Sequence, residues 1–234
     1  MLKEKEGEGS SGTEECTEIF TVATTLERFV IFHVVKEIVG FILYMHQQIP
    51  AILQGISVEF DSMHIECKQL KLVLTEKEVK ASTRRQQNGR MREVKNGIRR
   101  LEKLMTSFSK LQIAFQMMLN EVHCIQEVIL VLGASPIHPQ HVYELFFWNG
   151  KSFPENAAED YTKSSRVAEA LARKAIRALI SSGAGSVSYG GPTKLFLLVK
   201  APATFNLPLH FLPKRDFRYS KKVSLYLYAT YTLF

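Results

Sequence analysis

Cysteine is scarce in this chain. Only Cys16, Cys67 and Cys124 occur in 234 residues. An odd, scattered set supplies neither a disulfide framework nor a zinc cluster, and it fits a reducing compartment. A basic, apolar leader is lacking as well, because the first residues are acidic and polar, and no secretory signal is expected. No stretch offers the roughly 20 nearly charge-free apolar residues that a membrane-spanning helix needs. The glycine-rich SSGAGSVSYGG (181–191) has no Gly-Lys-Ser/Thr ending. It follows a helical pattern and precedes a strand, the reverse of a phosphate cradle, so it reads as a helix stop and turn.

Catalytic constellations are equally thin. His138 and His141 stand three apart around Pro-Gln with no third metal ligand nearby, and read as loop histidines. His123 and Cys124 are neighbours near the end of a helical pattern, where adjacent side chains do not face each other. No catalytic residue, metal site or cofactor is expected, and neither is a small-molecule substrate. The formal charge is +7, which favours acidic partners, nucleic acid included. The basic run Arg84, Arg85 to Arg92 lacks interleaved aromatics and any nucleic-acid motif. It reads as a solvated loop, with a chromatin- or nucleic-acid-associated structural protein as the alternative function.

The strongest element is TTLERFVIFHVVKEIVGFILYMHQQ (24–48), followed by Ile49-Pro50. Thr24 with Glu27 suggests a capping box, and Pro50 marks the stop. At about 100° per residue, His33, Lys36, Glu37, Gly40, Tyr44 and Gln47 form one narrow stripe. Val30, Ile31, Val34, Val35, Ile38, Val39, Phe41, Ile42, Leu43 and Met45 take nearly all the rest. A helix apolar around most of its girth is buried, and the charges in its stripe favour a core helix over a membrane span.

Residues 1–20 are expected to be a disordered tail, since 1–18 are too poor in apolar residues to offset ordering entropy. Residues 21–234 form one domain. Ala51 to about Gln87 reads as a weakly patterned connector holding one or two short strands, with a flexible loop at about 76–90. Met91 to about His123 is an amphipathic helix through Met91, Val94, Ile98, Leu101, Met105, Phe108 and Leu111. Residues 127–132 and 141–148 read as a hairpin with a long loop. Ser164 or Ser165 caps a third helix that Gly183 ends. Residues 194–200 and 221–231 are strands, and 201–217, with three prolines, is extended. The expected class is α+β, a mostly antiparallel sheet with three main helices packed on one side.

On the third helix Val167, Ala168, Leu171, Ala172, Ala175, Ala178 and Leu179 share one face. Arg166, Glu169, Arg173, Lys174 and Arg177 occupy the other. Ile176 and Ile180 sit on the edge beside Arg173 and Arg177. Branched aliphatics among arginines have the composition of an interface core. Cover by another part of the chain is the other reading.

LYMHQQIP (43–50), EVILVLGASPIHPQHVYEL (127–145) and FLPKRDFR (211–218) together resemble the Comet proteins. These are HORMA-like partners of the spindle-checkpoint protein Mad-two, and the similarity runs in order from about residue 25 to about 225. The resemblance implies a HORMA-like domain and a non-enzymatic adaptor. Such an adaptor binds the closed conformer of a Mad-two-type protein and presents it to a hexameric AAA+ remodelling ATPase. The partner face maps onto Met45, Arg173, Ile176, Arg177 and Ile180, and the ATPase face onto Pro213, Lys214 and Arg218. Relatives carry glutamine at the position of Met45 and phenylalanine at that of Ile176. They also continue past the strand at 223–229, so a shortened C-terminal arm (201–234) or an exposed final edge is expected here. Checkpoint silencing, meiotic HORMA remodelling, and a nuclear and cytoplasmic location follow as expectations.

Overall fold

The computed structural model describes residues 15–21, 26–75, 81–122, 125, 127–148, 161–183, 191–213 and 223–229. Within them the order is β1 (Glu15–Thr21), α1 (Arg28–Met45), α2 (Leu53–Thr75), α3 (Ala81–Glu121), β2 (Glu127–Ser135), β3 (His138–Trp148), α4 (Tyr161–Ser181), β4 (Lys194–Lys200) and β5 (Val223–Ala229). The class is α+β.

α1 is the centre. Val30, Ile31, Val34, Val35, Ile38, Val39, Gly40, Ile42 and Leu43 are all buried along it. It packs beside α4 and touches α3, and no described helix is long and apolar enough to cross a membrane. The capping box does not describe its start. Glu27 is the N-cap and its side chain caps nothing; its carboxylate instead accepts a hydrogen bond from Ser164 Oγ at 2.8 Å. Thr24 lies outside the described residues. At the other end, the Gln48 N–H donates to the Leu43 carbonyl and the Gln47 N–H to the Tyr44 carbonyl. Gln47 takes a left-handed φ of 53°. This is a Schellman stop with glutamine where glycine is usual.

The sheet order is β1-β5-β3-β2-β4. Pairs β2–β3 and β2–β4 are antiparallel, whereas β1–β5 and β3–β5 are parallel, so the sheet is mixed rather than mostly antiparallel. Its helix-facing layer follows the period of two. Val128, Leu130 and Leu132 on β2 join Tyr143, Leu145 and Phe147 on β3, with Leu195, Leu197 and Val199 of β4 packed alongside. The hairpin is tighter than expected: both strands extend inward until only Pro136 and Ile137 remain in the turn.

Four further expectations are corrected. The expected disordered tail contains β1, whose Ile19 is buried and which gains its backbone hydrogen bonds from β5. The connector after residue 51 is helix α2, so the described residues hold four helices. Ile56, Phe60, Met63, Cys67, Leu70 and Leu74 recur at alternating fours and threes toward the core and α3. Val58, Ile65 and Leu72 are exposed on the opposite side, and this second apolar line imitates strand alternation. The basic loop is also helical from Ala81 onward. Met91, Val94 and Ile98 anchor that part of α3 in a satellite core with Cys67, so the run Arg84 to Arg92 belongs to a packed helix. α4 begins at Tyr161, three residues before the expected cap.

Two glycines give opposite expectations. A Cβ on Gly133 would stand 2.6 Å from the His138 carbonyl oxygen, at the register shift of the hairpin. Backbone cannot swing aside there, so Gly133→Ala should cost about 1–3 kcal/mol, as overpacking does. Gly89, inside α3, has nothing within 4 Å of such a carbon. Gly89→Ala should gain up to about 1 kcal/mol from helix propensity. Urea denaturation of the two variants checks both signs.

Candidate partner-docking surface

α4 divides as its periodicity predicts. Ala168, Leu171, Ala172, Ala175 and Leu179 are buried, Val167 and Ala178 are half-buried, and Arg166, Glu169, Arg173, Lys174 and Arg177 are exposed. The two edge isoleucines separate. Ile180 is 58% exposed, whereas Ile176 is half-buried and forms the inner rim of the edge. Ser182 N–H and Gly183 N–H close the helix on Ala178 and Ile180 carbonyls, with Gly183 at φ 68°. The rest of the expected glycine-rich turn, 184–190, lies outside the described residues.

Charge on this edge is unequally held. Arg173 is drawn back along its own helix: its Nε and guanidinium donate to the Glu169 carbonyl and carboxylate, each at 3.3 Å. Among the described residues no carboxylate pairs with Arg177. A guanidinium held by one neighbour keeps donors to spare, because it has five N–H groups.

Met45 ends α1, the helix that packs beside α4. The Ser164–Glu27 bond ties the starts of α4 and α1 together. The two helices then pack side by side. Met45 lies about 27 Å along α1 from Glu27 and Ile180 about 24 Å along α4 from Ser164, at 1.5 Å per residue. Met45 is half-buried against the core, so it lends one side to solvent.

Beneath Met45 is a polar knot that residue spacing does not reveal. His46 Nε2 lies 2.5 Å from the Tyr143 hydroxyl of β3, and its ring meets that of His141 at a 35° tilt, with centroids 4.1 Å apart. Next to it, the Gln48 amide donates to the His46 and Gly191 carbonyls and accepts from the Thr193 N–H at 2.7 Å. Gln48 thus pins the approach to β4 onto the end of α1. His138, expected to sit with His141 in a loop, is exposed and bonded to Ser135. Both histidines are strand residues of β3, and His141 packs inward. His123 and Cys124 lie outside the described residues. No group of three potential metal-binding side chains gathers among the described residues.

Burial, and then the charge of His141, push His46 down to about 4. Burial lowers His141 as well and raises Tyr143. An unfolded histidine titrates near 6.5, so between about pH 6.5 and 4 the unfolded chain binds more protons than the folded one. Stability from this knot is therefore complete above 6.5 and lost as pH falls toward 4. The midpoint of urea denaturation should drop over that window. In His46→Gln the drop should be smaller, and the difference between the two profiles isolates this histidine from the carboxylates.

The second expected face is described only at its start. Phe205, Leu207 and Phe211 pack against the core, with the two phenylalanine rings edge-on at 5.7 Å. Leu209 and Leu212 are 93% and 86% exposed, and Pro213 is exposed. Lys214 and Arg218 lie outside the described residues. Comparison with known proteins gives no matching family model and no matching curated sequence.

Proposed function

We propose that this chain is a non-enzymatic, HORMA-like adaptor. It holds the closed conformer of a Mad-two-type HORMA protein against the outer edge of α4 and the end of α1. It presents that conformer to a hexameric AAA+ remodelling ATPase through the arm around Pro213, Lys214 and Arg218. The outcome is spindle-checkpoint silencing in the nucleus and cytoplasm, with remodelling of meiotic HORMA proteins as a parallel role.

The observation that carries this reading is the exposure of Ile180 on a helix whose opposite face packs into the core. A large apolar side chain beside arginines suits the centre of a protein interface, where Arg is enriched and other charge depleted. Ile176 supplies the rim, Arg173 and Arg177 flank it, and Met45 extends it. The exposed Leu209, Leu212 and Pro213 give the arm an accessible segment next to Lys214.

The test is retention of a Mad-two-type protein locked closed or locked open on the immobilised chain. The closed form should be retained and the open form washed away. Equal recovery of both overturns the proposal.

A further inference from the structure

We infer that the solvent face of α3 is a docking surface for the phosphate backbone of double-stranded nucleic acid. The inference is independent of the adaptor reading. α3 carries nine lysines and arginines against three glutamates, so six of the chain's seven net positive charges lie on this one helix. All nine cations are exposed.

Their placement is directional. On a helical projection at about 100° per residue, Arg84, Arg85, Arg92, Lys95, Arg99, Lys103 and Lys110 fall within a sector of about 100°. Met91, Val94, Ile98 and Leu101 occupy a separate sector, turned toward α2 and the core. From Arg84 to Lys110 the stripe runs about 39 Å at 1.5 Å per residue, close to one turn of duplex DNA. Glu102 is the single acid inside it. Arg90 lies off the stripe, donating to Glu66 of α2 at 2.6 Å. Among the described residues none of the seven stripe cations is in an ion pair. A solvated helix face would mix signs and pair them at three- and four-residue spacing, as Glu169 and Arg173 do on α4.

The chemistry of this face selects the partner. A protein partner would need an apolar centre to desolvate. The exposed large apolar residues of α3, Ile113 and Met117, lie beyond the end of the stripe. A polyphosphate needs only cations in a row. α2 covers one flank of α3, and the cations on the free flank form one row. Such a row suits phosphate contacts, which position the duplex without reading sequence.

The experiment is fluorescence anisotropy of the full chain with a mixed-sequence 30-base-pair DNA duplex between 50 and 300 mM salt. The slope of log K against log salt should fall between about −3 and −6, from four to seven phosphates at about −0.9 each. Changing Arg92, Lys95, Arg99 and Lys103 together to glutamine keeps helix propensity. It should weaken binding at least tenfold at 100 mM salt and flatten the slope by about 3. Arg166→Gln with Lys194→Gln, two exposed cations elsewhere, should leave both values unchanged. A wild-type slope shallower than about −2 overturns the inference. So does an unchanged slope in the four-residue variant, or poly-L-glutamate binding as tightly as the duplex, which would point to an acidic protein.

Discussion

If the proposed adaptor role holds, Ile180→Glu should weaken retention of the closed HORMA partner by about 30-fold or more while leaving the fold intact. Truncating an interface hot spot costs at least about 2 kcal/mol, and a buried carboxylate with no partner adds desolvation cost. The variant is informative because Ile180 is more than half exposed in the free chain. Surface substitutions of that kind stay within about 0.5 kcal/mol of neutral. Ile176→Glu is a poorer probe, since half-burial makes its cost partly a folding cost. Arg177→Ala should have an intermediate effect, through lost contact at the edge. Titration calorimetry with the closed partner, paired with a thermal melt of each variant, separates binding from stability. Undiminished affinity of Ile180→Glu would remove the α4 edge from the docking model.

Ile38→Ala produces the largest loss of stability. Ile38 is fully buried in α1, within the cluster that joins α1, α3, α4 and the hairpin strands. Isoleucine-to-alanine changes in a core cost about 2–5 kcal/mol, from lost transfer energy and the cavity left behind. Against a total of about 5–15 kcal/mol that is a large fraction. The melting temperature should fall by roughly 5–15 °C, at about 2–4 °C per kcal/mol for a chain of this size. Alanine's better helix propensity recovers only a few tenths. Leu72→Ala, on the exposed side of α2, should change it little. A drop of less than about 2 °C in Ile38→Ala would contradict the central place of α1.

The readable parts of the chain share one property: their burial is one-sided or nearly complete over many residues. α1 announced itself because ten apolar positions leave only a narrow polar stripe. α4 did so because alanines and leucines at threes and fours oppose a row of cations. β2 and β3 follow the period of two that one buried sheet face imposes. The face of α4 that meets solvent, with Ile180 on its edge, was legible for the same reason.

α2 was misread although its inward positions form an unbroken series of fours and threes. Val58, Ile65 and Leu72 on the opposite face overlay that series with an apparent alternation. The Arg84–Arg92 run looked like a loop because arginine, glutamine, asparagine and glycine crowd it. Its helix is held by Met91 and Val94 against Cys67 of α2, a contact across 24 residues. β1 was invisible because a polar, edge-placed strand is made by its partner, β5, some two hundred residues away.

Local pattern thus determined which segments are helical or extended wherever burial was periodic, and which face of α4 is wet. Only the tertiary structure decided the mixed sheet, the helical state of residues 53–75 and 81–90, and the knot in which His46 reaches Tyr143 across 97 positions. It also decided that Ile176 and Ile180 differ in exposure. These outcomes depend on which distant surfaces meet, and chain neighbours carry no periodic trace of a partner they do not themselves adjoin.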